Sequence, residues 1–301
     1  MPPVLPAAQR NNAMPSGIII IDKPAGWTSM DVCAKLRGIL GEKRIGHGGT
    51  LDPMATGVLP VFVGSATKAV EFAEKTDKEY LAGLRLGVVT NTQDSTGQVL
   101  ENRPVTVGRE ELEAVLPRFT GPIAQTPPMY SAVKIKGKKL YELARKGREV
   151  ERKPRSVTIH ALEIIDRTGE AEYQLCVRCS KGTYVRTLCH DMGQVLGCGG
   201  CMSSLRRTMA AGFTLADAVT IEAVQERGEA LLMPVDCFFT DCPVFLLTSP
   251  RMERMVRNGS PIPAPGLEPG QYRVYGQKKE FLCLSRWENG QLRSVKNFFG
   301  G

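Results

Sequence analysis

The sequence contains 301 residues, of which 42% are hydrophobic, enough for a sizeable core in one large domain or in a main domain with a small appendage. No apolar stretch approaches the roughly 20 residues that a membrane-spanning helix needs, which excludes an integral helical membrane protein. The formal net charge of +8 favours an anionic partner such as nucleic acid, although a generally basic enzyme would carry the same charge.

The chain begins with a short Pro-rich stretch that has neither the basic start nor the long apolar centre of a signal peptide. We therefore predict a disordered leader over residues 1–16. The nine cysteines, an odd number in a chain without a secretion signal, are typical of reduced thiols in the cytoplasm.

The first predicted elements are a strand over residues 17–22 and a helix that ends near Leu40. Thr28 and Asp31 have the spacing of a capping box, which predicts that this helix begins at Thr28. Residues 58–64 form an apolar run typical of a buried strand. The same criteria predict helices over 65–75, 108–118, 138–146, 184–196 and 220–233, and strands over 79–87, 98–102, 131–135, 156–166 and 171–179.

Strands separated by a mixture of turns and helices predict an α+β protein whose sheet is mixed and largely antiparallel, rather than doubly wound and parallel. Residues 156–166 and 171–179 are expected to pair as a hairpin. No phosphate loop and no G-x-G-x-x-G motif follows a strand, so no nucleotide cofactor is expected.

The most unusual segment is GHGGTLDPMATG, residues 46–57, which contains four Gly and one Pro. This composition predicts a bent loop instead of a helix or an ordinary strand. Asp52 is the single carboxylate of the loop, and Pro53 biases it toward an extended backbone. Spacing alone leaves two interpretations: a carboxylate placed for chemistry, or an N-cap of a short helix in which Pro53 is the first residue.

Two cysteine pairs have the spacing of a four-thiolate zinc site. They are Cys176 with Cys179, and Cys198 with Cys201. Residues 172–179 alternate like a strand, however, and residues three apart in a strand point to opposite faces. Buried or incidental thiols are therefore favoured over zinc, and we expect no metal.

Positive charge is concentrated in residues 134–155, which contain ten Lys or Arg residues against three Glu. Such a run is usually a solvated face, but the shortage of matching acids also indicates a surface that faces phosphates. The tail over 241–301 contains nine Lys or Arg residues against five acids and reads as short strands of a small β module.

The loop at 46–57 resembles the catalytic motif of the TruB-type pseudouridine synthases. Residues 18–29 resemble that family's opening strand and Asp-Lys-Pro turn, and several motifs in one order are more specific than a single match. The further matching blocks are DKEY (77–80), MYSAVK (129–134), KKLYELAR (138–145), SKGTYVRT (180–187) and LRRT (205–208). The resemblance implies a catalytic domain of the pseudouridine synthase fold over 17–236 and a small RNA-binding, PUA-like module over 241–301.

Pseudouridine formation breaks the N1–C1′ bond of a uridine, rotates the uracil and rejoins it through C5. The resemblance implies that Asp52 is the carboxylate near C1′ and C2′, acting as a nucleophile or as a base. It also implies that Arg186 keeps Asp52 ionised, and that Tyr80 stacks on the uracil and relays the C5 proton. The residues alone equally fit an ordinary surface arginine and a tyrosine packed in the core.

Six further residues are expected to contact or position the substrate, and for all of them except Asp94 the expectation comes from the resemblance. His47 would fill space against the RNA and assist base flipping, and no second ligand at a suitable spacing supports a metal there. Asp94 could pair with a base, although its loop position alone favours a turn cap. The other four are the pocket-wall residues Tyr184 and Leu205, and the supporting or substrate-positioning residues Lys23 and Tyr130.

The substrate implied by the resemblance is the T-loop uridine at position 55 of tRNA, with no cofactor and no obligate protein partner. A guide-RNA-dependent relative of the dyskerin type is the first alternative, because it shares the catalytic motifs. Further alternatives are a non-catalytic tRNA-binding or folding factor, and an RNA glycosidase that does not rejoin the base. The presence of Asp52, Tyr80 and Arg186 together argues against the non-catalytic alternative.

Overall fold

The computed structural model describes residues 15–131, 133–135 and 137–299, so residues 1–14 of the predicted leader lie outside the described residues. Within these ranges no helix is long and apolar enough to cross a membrane. The helices are α1 (Ser29–Leu40), α2 (Val70–Ala73), α3 (Arg109–Val115), α4 (Leu140–Ala144), α5 (Val185–Val195), α6 (Ile221–Arg227) and α7 (Pro250–Arg257).

Eighteen strands occur in the described part of the chain. They are β1 (Gly17–Lys23), β2 (Ile45–His47), β3 (Thr56–Val63), β4 (Lys78–Leu86), β5 (Val88–Thr90), β6 (Val99–Asn102), β7 (Gly121–Gln125), β8 (Lys134–Ile135), β9 (Lys138–Lys139), β10 (Arg155–Arg167), β11 (Glu172–Cys179), β12 (Gly200–Ala210), β13 (Phe213–Thr214), β14 (Val244–Leu246), β15 (Ile262–Pro263), β16 (Gln271–Tyr275), β17 (Phe281–Glu288) and β18 (Gln291–Asn297).

The main sheet has nine strands in the order β1-β3-β12-β4-β11-β10-β7, with β2 beside β3 and β13 beside β12. Its strand pairs are antiparallel except for β12 with β3. The predicted mixed, largely antiparallel α+β sheet is confirmed, and so is the hairpin of β10 with β11.

Both faces of the sheet are covered around β1 and β3. Ile18 and Ile20 pack into one apolar cluster, while Ile19 and Ile21 pack into another on the opposite face. All four side chains are at most 1% exposed. A strand buried on both faces reads as a continuous apolar run, which is why the sequence reveals β1 and β3 so clearly.

Helix α1 begins as the capping box predicts. The Thr28 hydroxyl accepts a hydrogen bond from the Asp31 backbone at 3.0 Å, and the Thr28 backbone donates to the Asp31 carboxylate at 2.8 Å. Gly41 ends the helix at φ 65°, in the left-handed conformation that glycine adopts at little cost. These two caps fix where α1 starts beside the loop that carries Asp52.

Strand β12 has no counterpart among the predicted elements, although it lies in the middle of the sheet between β3 and β4. Its polar residues obscure the alternation that identified the other strands. Strand β7 was also missed, and its Pro122 fits the edge position that β7 occupies.

Several predicted elements are shorter than expected. The helix predicted over 65–75 is a 3-10 helix, Gly64–Ala69, followed by α2, and the helix predicted over 138–146 is reduced to α4. The strand predicted over 131–135 is limited to β8, and that over 98–102 to β6.

A second sheet of five strands, in the order β14-β16-β17-β18-β15, forms the predicted β-rich C-terminal module. It has an apolar core of its own, which includes Val274, Leu282 and Leu292. Phe239 ends a 3-10 helix, Val235–Phe239, and shares an apolar cluster with Ile18 and Phe62 of the main sheet. Its ring centroid lies 6.1 Å from that of Phe281 and 5.7 Å from that of Phe298 in the module. The module therefore packs on the main sheet through an apolar contact.

Candidate active site

A cleft of about 940 Å³ opens where the loop between β2 and β3 faces strands β4 and β12 and the start of α5. This volume is in the range of pockets that bind small molecules or single nucleotides. Eight of the nine predicted site residues line the cleft, namely His47, Asp52, Tyr80, Asp94, Tyr130, Tyr184, Arg186 and Leu205.

The loop that carries Asp52 is a turn and not a helix start. The Ala55 backbone donates a hydrogen bond to the Asp52 carbonyl at 3.0 Å, after which β3 begins directly. The interpretation of Asp52 and Pro53 as the cap of a short helix is therefore wrong. The Ser29 side chain accepts a hydrogen bond from the Leu51 backbone at 2.8 Å, so the first turn of α1 supports the loop.

Lys23 supports the same loop from behind and does not line the cleft. Its side chain is fully buried, and Nζ donates hydrogen bonds to the carbonyls of Pro24 at 2.8 Å, Trp27 at 2.6 Å and Pro53 at 3.3 Å. Burial lowers the pKa of Lys23 to about 8, and the nearby Asp52 carboxylate opposes that shift. Its geometry is that of a brace for the turn at Pro53.

Arg186 lies between two carboxylates. Its Nε is 3.3 Å from Asp52 Oδ2, its Nη1 is 3.5 Å from Asp94 Oδ2, and its Nη2 donates a hydrogen bond to the Tyr130 carbonyl at 2.8 Å. Arg186 is only 6% exposed, whereas the Asp52 side chain remains 36% exposed toward the cleft. The guanidinium is thus held in the protein, and the carboxylate that it faces remains accessible.

The surroundings of Asp52 act on its ionisation in opposite directions. Burial raises the pKa of Asp52, the Arg186 guanidinium lowers it, and the Asp94 carboxylate raises it. The net direction is upward. Asp52 is therefore a more basic carboxylate than an exposed aspartate, while Arg186 still favours its charged form.

Asp94 caps its own loop. Its Oδ1 accepts hydrogen bonds from the Thr92 hydroxyl at 2.8 Å, the Thr96 backbone at 3.0 Å and the Thr96 hydroxyl at 2.6 Å. The turn cap expected from its loop position is present, and the second carboxylate oxygen faces Arg186. Asp94 is 3% exposed, so its carboxylate is occupied by protein groups.

Tyr80 lies on β4 and faces the interior together with Ala82 and Leu84, as its alternating strand indicates. It is 8% exposed and shares an apolar cluster with Leu205 of β12. Burial raises the pKa of the Tyr80 phenol, and the Arg207 guanidinium opposes that shift. A ring held between apolar walls at the cleft is suited to stack on a flat base.

His47 ends β2 at the edge of the cleft. Burial and the Arg207 charge both lower the pKa of His47, which favours the neutral ring. Its Nδ1 is buried and has no hydrogen-bond partner among the described residues. In that part of the chain, no group of three or more His, Cys, Asp and Glu side chains is arranged to hold a metal ion.

Three residues that line or support the cleft were not singled out by sequence reasoning. Gln125, at the end of β7, pairs through its side-chain amide with the backbone of Tyr184 at 2.8 and 3.0 Å, which fixes the residue that precedes α5. Lys78 and Arg207 line the cleft and are 7% and 1% exposed. The LRRT block was the signal for Arg207 in the sequence, whereas its burial is visible only in the folded protein.

The basic stretch contributes to the cleft through Arg145, which lies 5.4 Å from the ring centroid of Tyr141 and lines the cleft with it. Arg148, Lys153 and Arg155 are exposed. All nine cysteines are free thiols, and the zinc spacing is not matched by any cluster of ligands in the described residues.

Comparisons with known proteins point to one family. Residues 37–185 match the model of the TruB family pseudouridylate synthase N-terminal domain, and residues 186–238 match that of the tRNA pseudouridylate synthase B C-terminal domain. The chain is 46% identical over 287 residues to tRNA pseudouridine synthase B of Pseudomonas fluorescens strain Pf0-1, covering 92% of this chain and 93% of that protein. It is 49% identical over 277 residues to the protein of the same name from Ectopseudomonas mendocina, covering 89% and 90%.

Among solved structures, the chain is similar to one in a Cbf5-Nop10-Gar1 complex, with a TM-score of 0.71 and 25% identity over 95% of this chain and 86% of that one. A second match, in an H/ACA RNP bound to a substrate RNA containing 2′-deoxyuridine, has a TM-score of 0.70 at 23% identity, covering 95% and 86%. The latter likeness shows the fold alone.

Proposed function

The chain belongs to the TruB family of pseudouridylate synthases, and on that premise we propose that its cleft isomerises a uridine of tRNA to pseudouridine. The substrate is the T-loop uridine at position 55. The observation that carries the proposal is the accessible Asp52 carboxylate, which faces the buried Arg186 at 3.3 Å in a cleft also lined by Tyr80.

The proposed chemistry assigns one task to each of these groups. Asp52 acts at C1′ or C2′ of the ribose while the N1–C1′ bond breaks. Arg186 holds that carboxylate in place and favours its charged form. Tyr80 stacks on the freed uracil and takes the C5 proton after C5 has joined C1′. No step requires a redox change, so no cofactor and no metal are part of the proposal.

The remaining cleft residues bind and expose the nucleotide. A uridine inside a folded RNA loop must be flipped out before its C1′ can be reached, at a cost of a few kcal/mol. His47 at the cleft edge fills the space that the base leaves, and Tyr184 and Leu205 form walls of the pocket. The neutral state favoured for His47 suits it for packing against bases.

Phosphate contacts offset the cost of flipping in this proposal. The formal net charge is +8, and exposed cations occur both in the basic stretch and on α7. We propose that residues 17–236 form the catalytic domain and that residues 241–301 form an RNA-binding, PUA-like module. The enzyme then acts on the T-arm in the cytoplasm, without an obligate protein partner.

The test is to incubate the pure protein with a bare tRNA transcript, in the presence of a strong chelator, and to map pseudouridine chemically. The proposal predicts modification of the T-loop uridine, and a transcript with cytidine at that position is the matched control. Modification that requires an added guide RNA supports the dyskerin-type alternative. Release of free uracil indicates a glycosidase, and binding without any product indicates a folding factor.

A further inference from the structure

Arg207 lies between the loop that carries Asp52 and the strand that carries Tyr80. Strand β12 runs between β3, which follows the Asp52 loop, and β4, which carries Tyr80. Arg207 is the partner of Tyr80 in the antiparallel ladder and of Gly57 in the parallel one. Side chains directly opposite in an antiparallel pair are close neighbours on one face of the sheet.

The approach of Arg207 to β3 is unusually close. A Cβ at Gly57, which has a φ of +98°, would lie 2.2 Å from the Arg207 carbonyl oxygen, so only glycine fits there. The guanidinium donates from Nε to the Val58 carbonyl at 2.7 Å and from Nη2 to the Gly49 carbonyl at 3.1 Å. These two hydrogen bonds connect Arg207 to both ends of the loop that carries Asp52.

The positive charge of Arg207 is buried without a counter-ion. The side chain is 1% exposed, and within the described residues no carboxylate lies within 4.0 Å of its guanidinium. The neighbouring Arg206 differs in both respects, because it is 40% exposed and lies 2.8 Å from the Asp22 carboxylate. The two carbonyl hydrogen bonds make the burial of this cation tolerable, and an anion that forms beside it is stabilised by the uncompensated charge.

The group beside Arg207 that can become an anion is the Tyr80 phenol. We infer that Arg207 is a positioning residue that holds the Tyr80 hydroxyl and stabilises its phenolate form, so that Tyr80 can take the C5 proton. This inference rests on the proposed function, which assigns the proton transfer to Tyr80. A fixed charge aimed at the place where negative charge develops is an effective way to lower a barrier.

Among the titratable groups that act on Tyr80, Arg207 is the main source of positive charge. The pKa of Tyr80 is raised overall: burial raises it most, the Arg207 charge lowers it, and Cys179 of β11 and Asp52 raise it. Burial also raises the pKa of Cys179 to about 11, so the thiol is neutral near pH 7. Lys78, on the same strand as Tyr80, has a pKa lowered to about 8 by burial.

The proton step is balanced in atoms and electrons. After C5 joins C1′, the Tyr80 phenolate takes the C5 proton and becomes a phenol. The C5–H electron pair re-forms the C5=C6 double bond, and the N1=C6 π pair moves to N1. The phenol then returns the proton to N1, directly or through water, which restores the phenolate. No oxidant, reductant or other reactant is consumed.

The test compares Arg207→Lys and Arg207→Gln with wild type, with Arg206→Gln as the matched control on the adjacent residue. Fluorotyrosine is incorporated, and the Tyr80 signal, assigned with Tyr80→Phe, is titrated by fluorine NMR without substrate. Arg207→Gln is expected to raise the phenol pKa by about one to three units, and Arg207→Lys by less, because the charge is retained. Arg206→Gln is expected to leave it unchanged.

Activity supplies the second readout. The acid limb of the kcat–pH profile is expected to move up with the phenol pKa, which lowers kcat at neutral pH about tenfold per unit. A more acidic fluorinated tyrosine at position 80 is expected to recover part of the rate of Arg207→Lys. If the Arg207 variants do not fold, fluorinated tyrosines of decreasing phenol pKa are placed at position 80 of the otherwise wild-type protein. The acid limb must then move by the same amount as the phenol pKa.

Two results overturn the inference: a Tyr80 pKa that is equal in wild type and Arg207→Gln, or an acid limb that does not follow the phenol pKa. Both leave the proposed function intact as long as the wild-type protein forms pseudouridine. The absence of product with wild-type protein would instead overturn the proposed function.

Discussion

The side-chain amide of Gln125 forms two hydrogen bonds with the backbone of Tyr184, accepting from its N–H at 2.8 Å and donating to its carbonyl at 3.0 Å. Tyr184 precedes α5, whose second residue is Arg186. A strand at one edge of the sheet thus sets the position from which the guanidinium reaches Asp52.

Gln125→Met keeps the length of this side chain but removes both hydrogen bonds. The Tyr184 N–H then loses its partner, whereas its carbonyl still accepts from the Leu188 backbone at 3.1 Å. An unpaired buried backbone group costs about 1–3 kcal/mol, so we expect a lower free energy of unfolding in denaturant titrations. We also expect kcat to fall about tenfold or more, because a small displacement of a catalytic group is costly. Gln174→Met, on the partly exposed side of β11, is the control, and an unchanged kcat for Gln125→Met would contradict this role.

The raised pKa of Asp52 predicts that this carboxylate destabilises the fold when it is ionised. An acid whose folded-state pKa lies above its unfolded value favours folding most when protonated, and that advantage is lost as the pH rises through both values. Asp52→Asn is therefore expected to melt no lower than wild type at pH 7. The difference in melting temperature between Asp52→Asn and wild type should shrink as the pH falls below the Asp52 pKa. A clearly lower melting temperature of Asp52→Asn at pH 7 would show that Asp52 stabilises the protein.

Two groups are ionised in the proposed reaction, so the acid side of the activity profile has two limbs: one at lower pH for Asp52 and one at higher pH for the Tyr80 phenol. Arg186 is expected to set the Asp52 limb. Its charge lowers the pKa of Asp52, so Arg186→Gln should move that limb to higher pH by about one to three units. Arg186→Lys keeps a charge but loses the planar fork, so it should lower kcat at neutral pH with a smaller movement of the limb. The control is Arg85→Gln, which removes the exposed pair with Glu172; wild-type behaviour of Arg186→Lys would contradict the assigned pair.

The C-terminal module is expected to contribute affinity, and substitutions test this better than truncation does. Removing residues 241–301 would uncover Phe239, which packs against Phe281 and Phe298, so the shortened chain is expected to aggregate. Arg251→Gln with Arg254→Gln removes two exposed charges of α7 instead. For every phosphate that the protein no longer neutralises, the magnitude of the log–log salt slope should fall by about 0.7 to 0.9.

Binding of tRNA at several salt concentrations measures that slope, and kcat at saturating tRNA should stay unchanged. Arg118→Gln, an exposed charge of the main domain, is the control for a general reduction of positive charge. An unchanged affinity and slope for the α7 variant would show that α7 does not bind RNA.

The elements that the sequence predicted best are those whose signal is local. Helix α1 is recognisable because Thr28 and Asp31 satisfy each other's backbone groups, and β1 because both of its faces are apolar. The Asp52 loop could be located from its glycines and proline. These features depend on residues that are close in the chain.

The features that escaped prediction depend on partners that are distant in the chain. Arg207 breaks the apolar pattern of a central strand, and its burial is tolerated because the carbonyls of Gly49 and Val58 meet it only in the folded sheet. Gln125 and Tyr184 are 59 residues apart, and no spacing rule connects them. Lys23 matched a motif, but its function as a brace becomes visible only when Pro53 is placed beside it.

Single-turnover pseudouridine formation by Asp52→Asn tests the central claim most directly. Wild type and Asp217→Asn are the controls, because Asp217 is a capping carboxylate of an exposed turn. With excess enzyme and a bare tRNA transcript, slow product release cannot mask the chemical step. We predict full conversion of the T-loop uridine by wild type and Asp217→Asn, and no conversion by Asp52→Asn at unchanged tRNA affinity. Substantial conversion by Asp52→Asn would contradict the claim that this carboxylate performs the chemistry.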